Sequence, residues 1–364
     1  METNPISLSN KTVIIPFSFS NTPLKKLALI NFEKNPDSEY LALEPQYFED
    51  KNFGKAFRVI AYRRDGYVDV YDDENLTDDK DDTFDVTGKG LCESKKVVMK
   101  NTRFEKVNGN VFISFQFIDK YGREIVATIK EQTSKKTNGL QLLAPVGSST
   151  ENPSYLPLFF LYDFDFVRKQ HTKVDVTIDG KTVTPDNFPY PLAKDFQVRY
   201  YTRYSDDCQI IEFANATSGI LQEYTPDANG TFVRNSLEHT FADDRALLKV
   251  VLKNTNHPFT MEFTSGFPDV RSREDLSNYT DTFKLSAGDT MGFVAGEYTV
   301  KREVHNVHIE LVPSGGWTPV PDSLFTKMMF GKKSLFCTWP KTYKYIQTIN
   351  INTLESTSHW ERMK

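Results

Sequence analysis

The sequence predicts an all-β chain: two duplicated antiparallel β-barrel or sandwich domains in tandem. Three observations carry the prediction. Short segments alternate apolar and polar residues, as in Val111-Phe-Ile-Ser-Phe-Gln-Phe117 and Val174-Asp-Val-Thr-Ile178, the period of two that places every second side chain on one face of a strand. Between such segments stand Asp65-Gly66, Asn108-Gly109, Asp179-Gly180 and Asn229-Gly230, dipeptides whose glycine accepts the positive φ of tight hairpin turns. Finally, several strings recur in the same order along the chain.

The recurrences define the domains. Lys96-Val-Val-Met-Lys-Asn-Thr102 returns as Lys249-Val-Val-Leu-Lys-Asn-Thr255, and Phe117-x-Asp119-x-x-x-Arg123-Glu124 as Phe267-x-Asp269-x-x-x-Arg273-Glu274. Val167-Arg-Lys before Val174-x-Val176-x-Ile178 returns as Val300-Lys-Arg before Val307-x-Ile309-x-Leu311. Gly180-x-Thr182-x-x-Pro185-Asp186 returns as Gly316-x-Thr318-x-x-Pro321-Asp322. Displacements that drift from match to match are what loop insertions between two copies produce.

In chain order, residues 1–52 form a β-extension that packs on the first domain or the seam. Copy one follows at 53–191, copy two at 194–350, and residues 351–364 are a C-terminal tail. Helical spacing is weak: 243–254 reads as helix or strand, and 323–336 is a second helical candidate.

Length and composition agree with two domains. The chain has 364 residues, more than one core usually serves, and 28 Phe with 17 Tyr supply ample core surface. A formal charge of -5 with no basic block argues against nucleic acid as a partner. The longest apolar run, Leu156 to Tyr162, is far short of the ~20 residues that span a bilayer. Three widely spaced cysteines, Cys92, Cys208 and Cys337, and no export signal point to a cytoplasmic protein with reduced thiols. No elbow around a nucleophilic serine, no phosphate-cradling loop and no cofactor motif is present.

Residues that differ between the copies are the better functional candidates, because shared ones serve the fold. Asp119, Arg123 and Glu124, with counterparts Asp269, Arg273 and Glu274, therefore read as turn-stabilising charges. The period of two through Val304–Leu311 sets His305 on the inward face with Val307, Ile309 and Leu311, where copy one has Thr172. An inward imidazole can hold a ligand's polar end or move protons near neutral pH. The same period excludes a metal site from His305, His308 and Glu310, since the first faces away from the other two.

Tyr162-Asp163-Phe164-Asp165-Phe166 puts two carboxylates on one face and three aromatics on the other. Asp163 and Asp165 are candidates for an acid and base, and Tyr162 and Phe164 for ligand contact. Trp317, after Gly315-Gly316, reads as an exposed aromatic on a turn, able to cap a pocket or stack on a sugar. The acidic run from Asp72 to Asp82 lacks the ordered spacing of a calcium loop and reads as solvated.

Tandem all-β domains of this size without a cysteine framework resemble the double lipocalin-like proteins that include hydroxyneurosporene-synthase-type hydratases. The resemblance is architectural, spans both copies and carries over no catalytic residue. It implies an apolar or amphipathic small molecule held in or between barrels. The first expectation is thus a binding protein for such a molecule. The alternatives are an acid/base hydratase or isomerase using His305 or the Asp163/Asp165 pair, and a carbohydrate-binding or structural module.

Overall fold

The computed structural model describes residues 12–50, 54–77, 87–133, 138–146, 153–188, 198–253, 257–271 and 278–363. The chain is all-β, as predicted. Among the described residues its strands form sheets of two, five, nine and ten strands, and its helical turns lie at Leu324–Phe330, Lys333–Phe336 and Trp339–Thr342. The helical candidate 323–336 is therefore helical, whereas 243–254 contains the strand Leu247–Leu252. Among the described residues no helix is long and apolar enough to cross a membrane.

The chain divides into two compact units. Unit 1 comprises Met1–Ser20, Glu151–Leu158 and Ile211–Lys364, and unit 2 comprises Asn21–Thr150 and Phe159–Ile210. This differs from the expected boundaries in two physical respects. Leu24–Asn31 and Tyr40–Asp50 are central strands of the nine-stranded sheet, not an extension covering an edge. Glu355–Arg362 is a strand of the ten-stranded sheet with every second residue buried, not a tail.

Unit 2 is a sandwich. Its core joins Ile30, Tyr40, Leu43, Val59 and Tyr71 of the nine-stranded sheet to Ile113, Phe115, Ile125, Val176 and Ile178 of the five-stranded sheet. On the strand Gly54–Arg63, Phe57, Val59 and Ala61 face this core. Ile60, of opposite parity, joins Val68 and Val70 in a small second cluster. Both faces of that strand are therefore apolar, which is why it does not show clean alternation in sequence.

Unit 1 is built on the ten-stranded antiparallel sheet, which runs without a crossover from Thr231–Arg234 to Glu355–Arg362 and ends on Ser218–Ile220. Alternation is clean here: Tyr343–Asn350 is buried at every second position. Phe17 lies against its inner face, 6.1 Å from Phe263 and 6.1 Å from Tyr345 between ring centroids. Those rings sit on strands four spacings apart, about 19 Å in a flat sheet. The sheet must therefore coil around the N-terminal segment, and Gln347 clamps it by donating to the Pro16 carbonyl (3.0 Å). Even so, no sheet closes into a barrel among the described residues. The centre that a barrel would leave for a ligand is occupied by the chain's own Phe17.

The recurring strings differ in how far their settings agree. Asp119 and Asp269 each follow a strand and accept from the backbone N–H two residues on (2.9 and 3.1 Å). Asp119 also accepts from the Arg123 N–H and guanidinium, so its turn role is as expected; Arg273 and Glu274 lie outside the described residues. The strings at Val167 and Val300 differ in setting. Leu156–Arg168 belongs to the nine-stranded sheet and its successor Lys173–Ile178 to the five-stranded one, whereas Phe293–Glu303 and Asn306–Thr318 pair as one hairpin.

Candidate functional site

The turn at Val304–His305 corrects the first site expectation. The strand preceding it ends at Glu303 and the next begins at Asn306, so His305 is exposed at a two-residue hairpin tip. Val307, Ile309 and Leu311 are fully buried as expected, but the inward face begins only after the turn.

Trp317 is likewise not an exposed cap. It is 2 % exposed, its indole N–H donates to the Met291 carbonyl (3.0 Å), and its ring meets Phe330 at 5.1 Å. The glycines before it are packing residues: a Cβ on Gly316, at φ +66°, would lie 2.3 Å from the Cys337 carbonyl oxygen. With Trp317 buried, the sugar-stacking role loses its exposed ring.

The carboxylate pair is split between two cations. Asp163 sits at φ 57° where the pairing of Leu140–Leu143 with Leu156–Arg168 shifts register, and it is bound by Lys106. Asp165 is ion-paired to Arg199 at 2.5 Å and accepts from the Phe166 N–H. Tyr162 is buried, and burial, with the nearby Asp207 and Cys208, holds its phenol well above the ordinary range. Phe164 is buried and meets Phe166 edge-on at 5.2 Å. These four residues line neither concavity described below.

One polar constellation was not foreseen. Asp69, 1 % exposed, is ion-paired to Lys120 (2.8 Å) and Arg63 (3.2 Å). Tyr40 and Tyr71 share a hydrogen bond of 2.7 Å beside it. Burial pushes the Tyr71 phenol up to about 12, and burial and Tyr71 push Tyr40 higher still. Both phenols are thus protonated at neutral pH and cannot act as bases. Burial draws the Lys120 ammonium down, but Asp69 outweighs it and keeps it above its usual range. Linking strands of the nine-stranded sheet to the turn after Phe117, this cluster is a clasp between the two layers.

Two concave places stand out among the described residues. In unit 1, a gap of about 10 Å³, at most the size of one water, is bordered by Ile14, Phe267 and the Arg245–Asp269 ion pair. In unit 2, an open cleft of about 320 Å³ lies where the chain passes from the edge of one sheet to the edge of the other. Lys95 and Lys96 come from the end of Leu91–Val97, and Lys100 from the start of Lys100–Val107. Val97 and Phe117 are its buried floor, and Val98 and Ile118, about half exposed, are its apolar walls.

The polar groups of this cleft fall into two sets. Gln116 donates to Glu124 (2.7 Å) and accepts from Asn101 (2.9 Å), while Lys96 donates to the Leu76 carbonyl (2.5 Å). Lys95 and Lys100 make no ion pair among the described residues. Lysines on sheet edges also keep edges from pairing. Here they additionally border concave apolar surface, an arrangement suited to a molecule with an anionic head and an apolar body. The signal in sequence was the string Lys95-Lys-Val-Val-Met-Lys100, lysines bracketing an apolar triplet.

Compared with protein-family models, with curated proteins and with solved structures, the chain matches none.

Proposed function

We propose that this chain binds an amphipathic small anion in the cleft of unit 2. Lys95 and Lys100 receive the head group, and Val98 and Ile118 cover the apolar part. The observation that supports this is the coincidence of two ammonium groups that make no ion pair among the described residues with half-exposed aliphatic walls in a cleft of about 320 Å³, the lower end of the usual ligand-site range. The ligand class is the amphipathic one expected from sequence, moved from a barrel interior to a surface cleft.

Acid/base turnover of such a ligand would need an ionisable pair beside it. Glu124 is the carboxylate lining the cleft and it accepts from Gln116; His305, Asp163 and Asp165 are not among the lining residues. Binding is therefore the reading retained.

Calorimetric titration with decanoate, and with decanol as the uncharged control, tests it. Saturable binding of decanoate and not of decanol is expected. Lys95→Ala and Lys100→Ala should each weaken it about five-fold, the worth of one partly exposed ionic contact. Equal binding of both ligands, or affinity unchanged in the Lys95→Ala/Lys100→Ala double variant, would overturn the proposal.

A further inference from the structure

The helical segment 320–341 holds the helical turns of unit 1 among the described residues, and its two faces differ. Inward, Phe330 meets Trp317 and Phe336 at 5.1 and 5.8 Å, and Thr326 completes a capping box with Ser323. The Trp317 backbone N–H donates to the Cys337 carbonyl (2.8 Å), so the segment is fixed to the sheet at both ends of its core.

Outward, Leu324 is 87 % exposed and Met328, one turn on, 57 %; Val320 and Leu335 are half exposed as well. Lys327, Lys332, Lys333 and Lys341 are exposed around them. None of these four makes an ion pair among the described residues, and no Asp or Glu occurs between Asp322 and Glu355.

We infer that this segment docks unit 1 on an anionic lipid surface. Large apolar side chains on short helices are costly to hold in water, and Leu324 and Met328 are held there, one turn apart. Leu324 and Met328 are placed to enter the boundary between head groups and acyl chains. The four lysines, with long stems and mobile ammonium groups, are placed to meet head-group phosphates. A basic fringe around exposed aliphatics, with Asp322 the one acidic residue of the segment, is the composition that anionic interfaces attract, and the attachment is peripheral, with no spanning helix among the described residues.

Vesicle flotation tests this with the full chain. Vesicles of phosphatidylcholine containing about one-third phosphatidylserine should carry the protein upward, and those of phosphatidylcholine alone should not. Raised salt should release it. Leu324→Ser/Met328→Ser should lower the bound fraction about tenfold, given the apolar surface removed, and Lys332→Glu/Lys333→Glu should abolish flotation. Both variants change exposed residues, and unaltered far-ultraviolet dichroism and unfolding temperature would show that they fold. No flotation with anionic vesicles would overturn the inference. So would retention on immobilised polyglutamate that ignores the Leu324 and Met328 changes, which would assign the surface to an acidic protein instead.

Discussion

His239 is 3 % exposed in Leu237–Phe241, and burial brings its imidazole down to about 4. In the unfolded chain the same group titrates near ~6.5. Between these values the unfolded state binds the additional proton, so the contribution is fully present above pH ~6.5 and is lost as pH falls towards 4. Urea unfolding should therefore lose about 2–3 kcal/mol between pH 7 and pH 4.5 from this residue, and His239→Leu should flatten that part of the profile. An unchanged slope in the variant would contradict the assignment. Legibility was poorest at this scale. Exposure of Trp317 and inwardness of His305 depend on where a strand starts, and a shift of one residue reverses a face. Lys95 and Lys100 could be read as charged, but not as bordering a cleft, because the strand Asn110–Ile118 that supplies its apolar wall is distant from Lys95 in sequence.

Hairpins were more legible. Asn108-Gly109 (φ 52° and 76°) and Asp179-Gly180 (φ 53° and 73°) both hold the doubly positive φ that their residue types announce. The turn at Val304–His305 carried no such announcement, since a valine at φ 53° is the costly choice for that position. Its backbone strain is of order 1 kcal/mol. Val304→Asn, which accepts positive φ more readily, should therefore stabilise the hairpin of Phe293–Glu303 with Asn306–Thr318 and raise the unfolding temperature by roughly 2–4 °C. A lowered temperature would mean that valine contributes contacts worth more than the strain. Element pairing was less legible than element type. The strings shared by Val167 and Val300 encode similar strands, yet one continues into the facing sheet and the other folds back beside itself.

At the scale of the molecule, the all-β class was visible in composition and period, whereas the division of the chain was not. Contiguous copies were expected, but unit 1 gathers three stretches of sequence, and Phe17 of the first packs on Phe267 of the last. Such long-range closure leaves no local pattern, since Val13-Ile-Ile-Pro-Phe17 reads as any short strand would. Phe17→Ala should destabilise unit 1 by about 3–5 kcal/mol, the cost of emptying an aromatic core site. Tryptophan fluorescence measures this unit alone, because Trp317, Trp339 and Trp360 all belong to it. A denaturant midpoint unchanged in that signal would show Phe17 to be dispensable.

A nascent chain makes Tyr345, the neighbour of Phe17 across the coiled sheet, about 330 residues after Phe17 itself. At ~5–20 residues per second, translation leaves that phenylalanine roughly 15–65 s without its final surroundings. Over that interval the leading segment is an apolar strand in search of a mate, and ribosome-associated chaperones should find it there. Slowing synthesis ought to lower the yield of native molecules more than it would for a protein whose first strand closes on its second.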